Sequence, residues 1–205
     1  MNTVTVNNRP LAPSKIVCVG RNYVAHIEEL GNEVPDDMVV FLKPNSAIGE
    51  ELRAEFGGEP LHYEGELAFA VAAGELAAVG FGLDLTRRDL QGKLKAAGLP
   101  WERAKAFDGA ALFSDFVPLP AAGVDGLGLE LEVDGQPRQR GDTSLMLYPP
   151  RVVLEQLAGF MRLEDGDILM TGTPAGVGPV RRGETFTGRV VAGGRPLVEA
   201  SWQAR

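Results

Sequence analysis

The stretch His62-Tyr63-Glu64-Gly65-Glu66-Leu67-Ala68-Phe69-Ala70-Val71 decides how this chain is read. Its spacing suits a strand from Gly65 to about Ala73. Residues two apart in a strand share a face. Glu64 and Glu66 therefore project together, while Leu67, Phe69 and Val71 form a separate apolar row. Like charges on neighbouring sites of one face repel unless solvent or a cation separates them. Hard divalent cations take carboxylate oxygens, and Asp84, at the end of the next strand candidate, offers a third carboxylate. A solvated strand face explains the same spacing, so both readings stand at this point. His62 shares the parity of the two glutamates, as a ligand, a partner of one, or a non-ligating histidine; a hard oxygen site has little need of imidazole.

Working outward, Lys15–Gly20 reads as a buried strand, Val24–Leu30 as helical and Met38–Leu42 as a strand. Residues 45–60 read as an acidic loop, a candidate mobile lid. Ala77–Leu83 follows as a strand. Thr86, with Asp89 three residues on, is the expected N-cap of a helix running to about Ala97. Asp134-Gly135 between Leu129–Val133 and Gln136–Gln139 is a hairpin signal. Val153, Leu157, Phe160 and Met161 recur at helical spacing and are expected to face the core. Gly166–Thr171, Glu184–Val191 and Leu197–Trp202 are further strands. The fold class is α+β, predominantly β: a β-sandwich or roll with a few short helices. Residues 1–14 are expected as an N-terminal arm and 15–205 as one domain.

Composition excludes several functions. The 205 residues carry a net charge of −8, against the basic face that nucleic acid requires. No apolar run approaches the ~20 residues that cross a bilayer, and the start Met1-Asn2-Thr3-Val4 lacks the features of a secretory signal. A single cysteine, Cys18, precludes an internal disulfide, so a cytoplasmic location is expected. Cys18 lies in the apolar run Ile16–Val19 and is expected as a buried structural thiol.

Six segments occur in order: Val19-Gly20-Arg21-Asn22-Tyr23, Phe41-Leu42-Lys43-Pro44, Tyr63-Glu64-Gly65-Glu66-Leu67, Arg88-Asp89-Leu90-Gln91, Gly166-Asp167-Ile168-Leu169 and Thr171-Gly172-Thr173-Pro174-Ala175-Gly176-Val177-Gly178. Together they resemble the catalytic domain of the fumarylacetoacetate hydrolase family, in its acylpyruvase and oxaloacetate decarboxylase branch. The resemblance implies a β-sandwich roll, a homodimer, and Mg²⁺ or Mn²⁺ held by Glu64, Glu66 and Asp84. It implies Lys105 beside the metal, and Arg21, Gln91 and Thr173 as substrate contacts. An ammonium there offsets the excess of carboxylates and can bind a negative substrate oxygen.

His26 lies three residues before Glu29, and i,i+3 side chains on a helix are neighbours. A solvated pair accounts for that spacing as well as a catalytic one. The resemblance favours the latter, since a His–Glu dyad at this spacing follows Gly-Arg-Asn-Tyr in hydrolytic and decarboxylating members. The implied activity is metal-dependent cleavage of a C–C bond in a small anionic 2-oxo acid such as an acylpyruvate, with oxaloacetate decarboxylation as a further possibility. The alternatives are an isomerase or tautomerase of 2-oxo or 2-hydroxydienoic acids, and a non-catalytic β-rich binding protein. Three features depart from the family pattern: His62 stands where an acidic residue is common, Asp108–Phe113 lacks a proline-glycine turn, and the 45–60 segment is short.

Overall fold

A computed structural model describes residues 1–31 and 33–205. The chain opens with a hairpin of β1 (Val4–Val6) and β2 (Arg9–Leu11). This is the segment expected as an arm. It is tied to the body by Asn7 N–H to the Phe116 carbonyl and Phe116 N–H to that of Thr5. Then follow β3 (Lys15–Gly20), helix α1 (Val24–Glu29) and β4 (Val39–Pro44).

The 45–60 segment corrects the expected mobile lid. It carries a short hairpin of β5 (Glu55–Phe56) and β6 (Glu59–Pro60). Ala47 and Leu52 are buried in the core, and Ala54 and Leu52 exchange backbone bonds with Arg205 at 2.8 and 2.9 Å. Glu50, Glu51 and Glu55 face outward, half-buried Glu59 pairs with Arg87, and the apolar residues anchor the segment.

Next come β7 (His62–Tyr63), β8 (Gly65–Ala72) and β9 (Glu75–Asp84), then helices α2 (Arg88–Ala96) and α3 (Glu102–Lys105). The tight turn from β8 to β9 uses Ala73 and Gly74, both at positive φ, the geometry that matches strand twist. After β10 (Ala111–Phe113) and β11 (Val117–Pro118), β12 (Leu127–Val133) and β13 (Gln136–Asp142) form the hairpin expected at Asp134-Gly135. Helix α4 (Pro150–Ala158) buries Val153 and Leu157 as its pattern requires. Phe160 does not follow them; it lies beyond the helix end and is 65% exposed, because the periodicity stops where the helix does. The chain closes with β14 (Ile168–Met170), β15 (Gly178–Pro179), β16 (Thr185–Ala192) and β17 (Arg195–Gln203).

The main sheet runs β10-β9-β8-β14-β3-β4, with β11 added to β9. Among the described residues only β14 and β3 pair in parallel within it. A second sheet, β13-β12-β16-β17, packs on one face. Leu67, Phe69, Phe81 and Leu169 meet Leu129, Leu131, Phe186 and Val190 there, forming the larger core. Gly188 in β16 is required by this contact, since a Cβ would collide with the Phe81 ring. The other face carries Ile16, Cys18, Ala68, Ala70 and Met170. The sheet curls about it: Ile48, beyond β4, bridges Ala111 of β10. The result is a predominantly β roll packed as a sandwich. Among the described residues no helix is long and apolar enough to cross a membrane.

Candidate metal centre and active site

The curl sets the site. Gly65 pairs with Leu83, and Asp84 N–H bonds the Glu64 carbonyl at 2.9 Å, so Glu64 and Asp84 are cross-strand neighbours. Directly opposite residues share a face, and Glu66 joins them by the two-residue period. Ligand oxygens of Glu64, Glu66 and Asp84 all lie within 4.8 Å of one another, and all three residues are buried. Burial rules out the solvated-face reading of the glutamate pair.

Cations answer two of the three carboxylates. Lys105 Nζ, delivered by α3, lies 2.8 Å from Glu64 Oε2, 2.7 Å from Asp84 Oδ2 and 2.7 Å from Thr86 Oγ1. Burial works against its charge, but the Asp84 and Glu64 carboxylates outweigh that and hold the ammonium above its usual range. Arg88 Nη2 donates to Glu64 Oε1. For Glu64, burial pulls upward while Lys105 and Arg88 pull further down, leaving its carboxyl well below the ordinary range. Glu66 differs. It accepts Gly172 N–H at 2.7 Å, yet among the described residues no cation lies within ion-pair distance of it. Burial and the adjoining Asp84 and Glu64 charges push its carboxyl well up.

That deficit is the test of fit for a metal. A buried carboxylate repelled by two others, within a cluster of hard oxygen donors, matches what Mg²⁺ or Mn²⁺ takes. The three residues are able to hold a divalent ion.

Lys43 was not singled out from the sequence, where it reads as the residue that ends a strand before proline. It is fully buried, with Nζ 2.7 Å from Asp84 Oδ1 and 3.0 Å from the Ala110 carbonyl, and also donating to the Lys105 carbonyl. The available signal was its parity with Phe41, which puts both on the inner face of the roll. Arg88 was missed too, although its motif was noted. Thr86 corrects the N-cap expectation: α2 begins after Arg87 with no side-chain cap, and the Thr86 hydroxyl donates to the Asp84 carbonyl at 3.2 Å while accepting from Lys105. The carboxylate–lysine cluster competes for that hydroxyl and wins it.

Every expected site residue except Glu29 lines one cleft. Glu29 stands behind it. His26 Nδ1 is 3.2 Å from Glu29 Oε2, and Glu29 Oε1 accepts Gly176 N–H at 2.9 Å. One carboxylate thus ties α1, its imidazole and the glycine loop together. Gly172 in that loop has φ of 90° and approaches Asn22 so closely that a Cβ would meet its Cβ at 2.9 Å. Thr173 Oγ1 donates to the Gly65 carbonyl at 2.8 Å and accepts from Gln139 at 2.7 Å, which fixes the loop on β8. Gln91 Oε1 accepts from Arg88 at 2.8 Å. Arg21 adopts a left-handed φ of 55°; its Nε is buried and has no hydrogen-bond partner among the described residues. His62 stays outside the carboxylate cluster, its backbone paired with Thr86. Burial pushes the Cys18 thiol well above its usual range, so it is an inert core residue.

The fumarylacetoacetate (FAA) hydrolase C-terminal family matches residues 15–200. The chain belongs to the fumarylacetoacetate hydrolase family. Oxaloacetate tautomerase YcgM of Escherichia coli (strain K12) is 40% identical over 192 residues, covering 85% of this chain and 87% of that protein. Among solved structures, fumarylpyruvate hydrolase from Pseudomonas aeruginosa, in complex with Mn²⁺ and pyruvate, superposes with a TM-score of 0.87 at 31% identity, covering 98% of this chain and 94% of that one. The 5-carboxymethyl-2-hydroxymuconate delta-isomerase from Mycobacterium smegmatis gives 0.77 at 34% identity, covering 95% and 80%. Membership makes this chain a metal-dependent enzyme of the family's hydrolase, decarboxylase and isomerase range.

Proposed function

We propose that this enzyme stabilises the enolate of a short 2-oxo acid and uses it to cleave the C–C bond of an acylpyruvate-type substrate. The observation that carries the reading is buried His26, paired with the exposed Glu29 behind it and lining the same cleft as the carboxylate cluster. A carboxylate only accepts hydrogen bonds, so the Nδ1 facing Glu29 is a donor, which in the neutral imidazole leaves the lone pair on Nε2.

Glu64, Glu66 and Asp84 would hold a divalent ion, which when bound would supply Lewis acidity to the 2-oxo acid end of the substrate. Arg21, Gln91 and Thr173 orient that end of the molecule. His26 Nε2 takes a proton from water as the water oxygen attacks the distal acyl carbonyl. The C–C bond then breaks, its electron pair passing into the enolate of pyruvate, whose negative charge the nearby Lys105 ammonium offsets. His26 returns the proton to the enolate carbon.

A second reading rests on the relative named oxaloacetate tautomerase: with oxaloacetate the same base moves a proton between C3 and the enol oxygen, or the enolate forms by loss of CO₂. Both activities need the deep site, while only hydrolysis needs activated water. Purified enzyme with Mn²⁺ is assayed against acetylpyruvate, fumarylpyruvate and oxaloacetate in parallel. His26→Ala is expected to lower acylpyruvate cleavage by about 10²- to 10⁴-fold with Mn²⁺ affinity retained. Undiminished cleavage by that variant removes His26 as the base.

The same reading includes a homodimer of a single domain, 15–205, with the 1–14 segment as its arm, in the cytoplasm. Sedimentation at the monomer mass would exclude the dimer.

A further inference from the structure

The β14–β8 ladder ends at Met170 and Ala68, so the part of β8 nearest the carboxylates has no strand partner on that side. Thr171 takes the Leu67 carbonyl with both its N–H and its hydroxyl, at 3.2 and 3.0 Å. Next to it the place of a further strand residue is filled by Gln139, reaching across from β13 in the second sheet. Gln139 is buried, and its amide spans the gap. Its Oε1 accepts Gly65 N–H at 2.8 Å, while Nε2 donates to Thr173 Oγ1 at 2.7 Å and to the Pro174 carbonyl at 2.8 Å. That amide has one orientation, since an N–H only donates and a carbonyl only accepts. Gly65, between the two glutamates, lets it approach: a Cβ there would stand 3.0 Å from Oε1 and 2.9 Å from the Phe81 ring.

These bonds fix what Thr173 has left to offer. Its hydroxyl accepts from Gln139, so its own proton goes to the Gly65 carbonyl at 2.8 Å. Only a lone pair remains on that oxygen, and a carboxylate has no hydrogen to give it. The backbone N–H differs. Thr173 is 3% exposed and lines the cleft. Its neighbours Thr171 and Gly172 direct their N–H groups to Leu67 and Glu66, while its own has no acceptor among the described residues. A buried N–H without a partner is rare in proteins, and at a cleft wall it is a donor held for a ligand. The same strand steadies the rest of the loop. Gly176 lies against the Arg138 carbonyl, where a Cβ would stand at 2.0 Å, and Gly141 lies against Pro174, at 2.9 Å.

We infer that Gln139 is a positioning residue for substrate binding: by holding the Thr173 hydroxyl on Gly65, it leaves the Thr173 N–H as the loop's donor to the carboxylate of the 2-oxo acid. This rests on the enolate reading above and gives a residue of the second sheet a role within it. Gln139 does not line the cleft; it acts through Thr173.

The test compares Gln139→Met, which removes the amide at similar size, with Gln139→Glu, whose carboxylate keeps the acceptor for Gly65 but not the donor. Both are expected to raise KM for acetylpyruvate about ten- to a hundredfold, the range of one hydrogen bond to a charged group. The change in kcat is expected to stay below about threefold, and added Mn²⁺ still raises the thermal midpoint. Thr173→Val, placed on Gln139→Met, is expected to add less than about a twofold further rise, because the hydroxyl has already lost its place. A KM within about twofold of wild type in both Gln139 variants, even with a lowered thermal midpoint, makes the residue structural and overturns the inference. So does a Thr173→Val effect that multiplies undiminished in the double variant, since the hydroxyl then binds substrate by itself. Either result leaves the enolate reading intact. No turnover of acetylpyruvate, fumarylpyruvate or oxaloacetate by the wild type overturns both.

Discussion

At the scale of single residues, Glu66 and Lys43 differ most from their surroundings. Glu66 is buried and faces two other carboxylates with one backbone donor to steady it. Glu66→Gln is therefore expected to weaken Mn²⁺ binding by more than about 100-fold, measured by calorimetric titration. Retained affinity would place the ion elsewhere. Lys43 has the opposite role: its charge is spent within the protein, on Asp84 and two carbonyls. Removing one partner of a buried pair leaves the other uncompensated. Lys43→Met should cost about 3–5 kcal/mol in urea unfolding. A loss below about 1 kcal/mol, the range of an exposed pair, would show that Asp84 does not depend on it.

The elements are tied by polar contacts at their ends as much as by packing. Buried Asp167, just before β14, accepts from Ser14 Oγ at 2.6 Å, from the N–H groups of Ser14, Lys15 and Glu164, and from the Lys15 ammonium. These bonds join the start of β3 to the start of its parallel neighbour. Burial favours the protonated acid, but the Lys15 and Ser14 bonds outweigh it and hold Asp167 below the usual carboxylate range. With the folded value depressed, the unfolded chain binds more protons in the interval between the two values, so stability rises with pH there. The contribution is complete above the unfolded value and lost as pH falls through the folded one. Asp167→Asn is expected to destabilise by about 2 kcal/mol at pH 7. The gap to wild type should narrow only in strongly acid solution. A gap that closes already at pH 5 to 6, the onset of ordinary carboxylate titration by about one unit, contradicts this.

For the whole molecule, the metal joins parts distant in sequence. The carboxylates able to hold it come from β8, the residue before it and the end of β9, and the lysines beside them come from β4 and α3. An ion that binds the folded state stabilises it by mass action, by about 2.7 kcal/mol at a hundred times Kd. Mn²⁺ should therefore raise the thermal midpoint by several degrees, about 2–4 °C per kcal/mol at this size. EDTA should reverse the rise and Glu66→Gln abolish it. An equal rise in that variant would locate the stabilising ion outside the carboxylate cluster.

Local pattern alone was enough for the longer strands, the Asp134-Gly135 hairpin and the shared face of Glu64 and Glu66, because period and turn chemistry act over a few residues; the two- and three-residue strands carry too little pattern to read. The ordered motifs extended this to a family and to most of the cleft. Burial was not legible there: the spacing of Glu64 and Glu66 is the same whether water or protein covers them. Nor were the acidic segment after β4 and the Thr86 hydroxyl, whose partners, Arg205 and Lys105, lie far along the chain or on another element. Lys43 shows the reason most clearly. On its own strand it is one more polar residue before a proline; the curl of the sheet carries it to Asp84, and only that closure turns a commonplace lysine into a buried counterion.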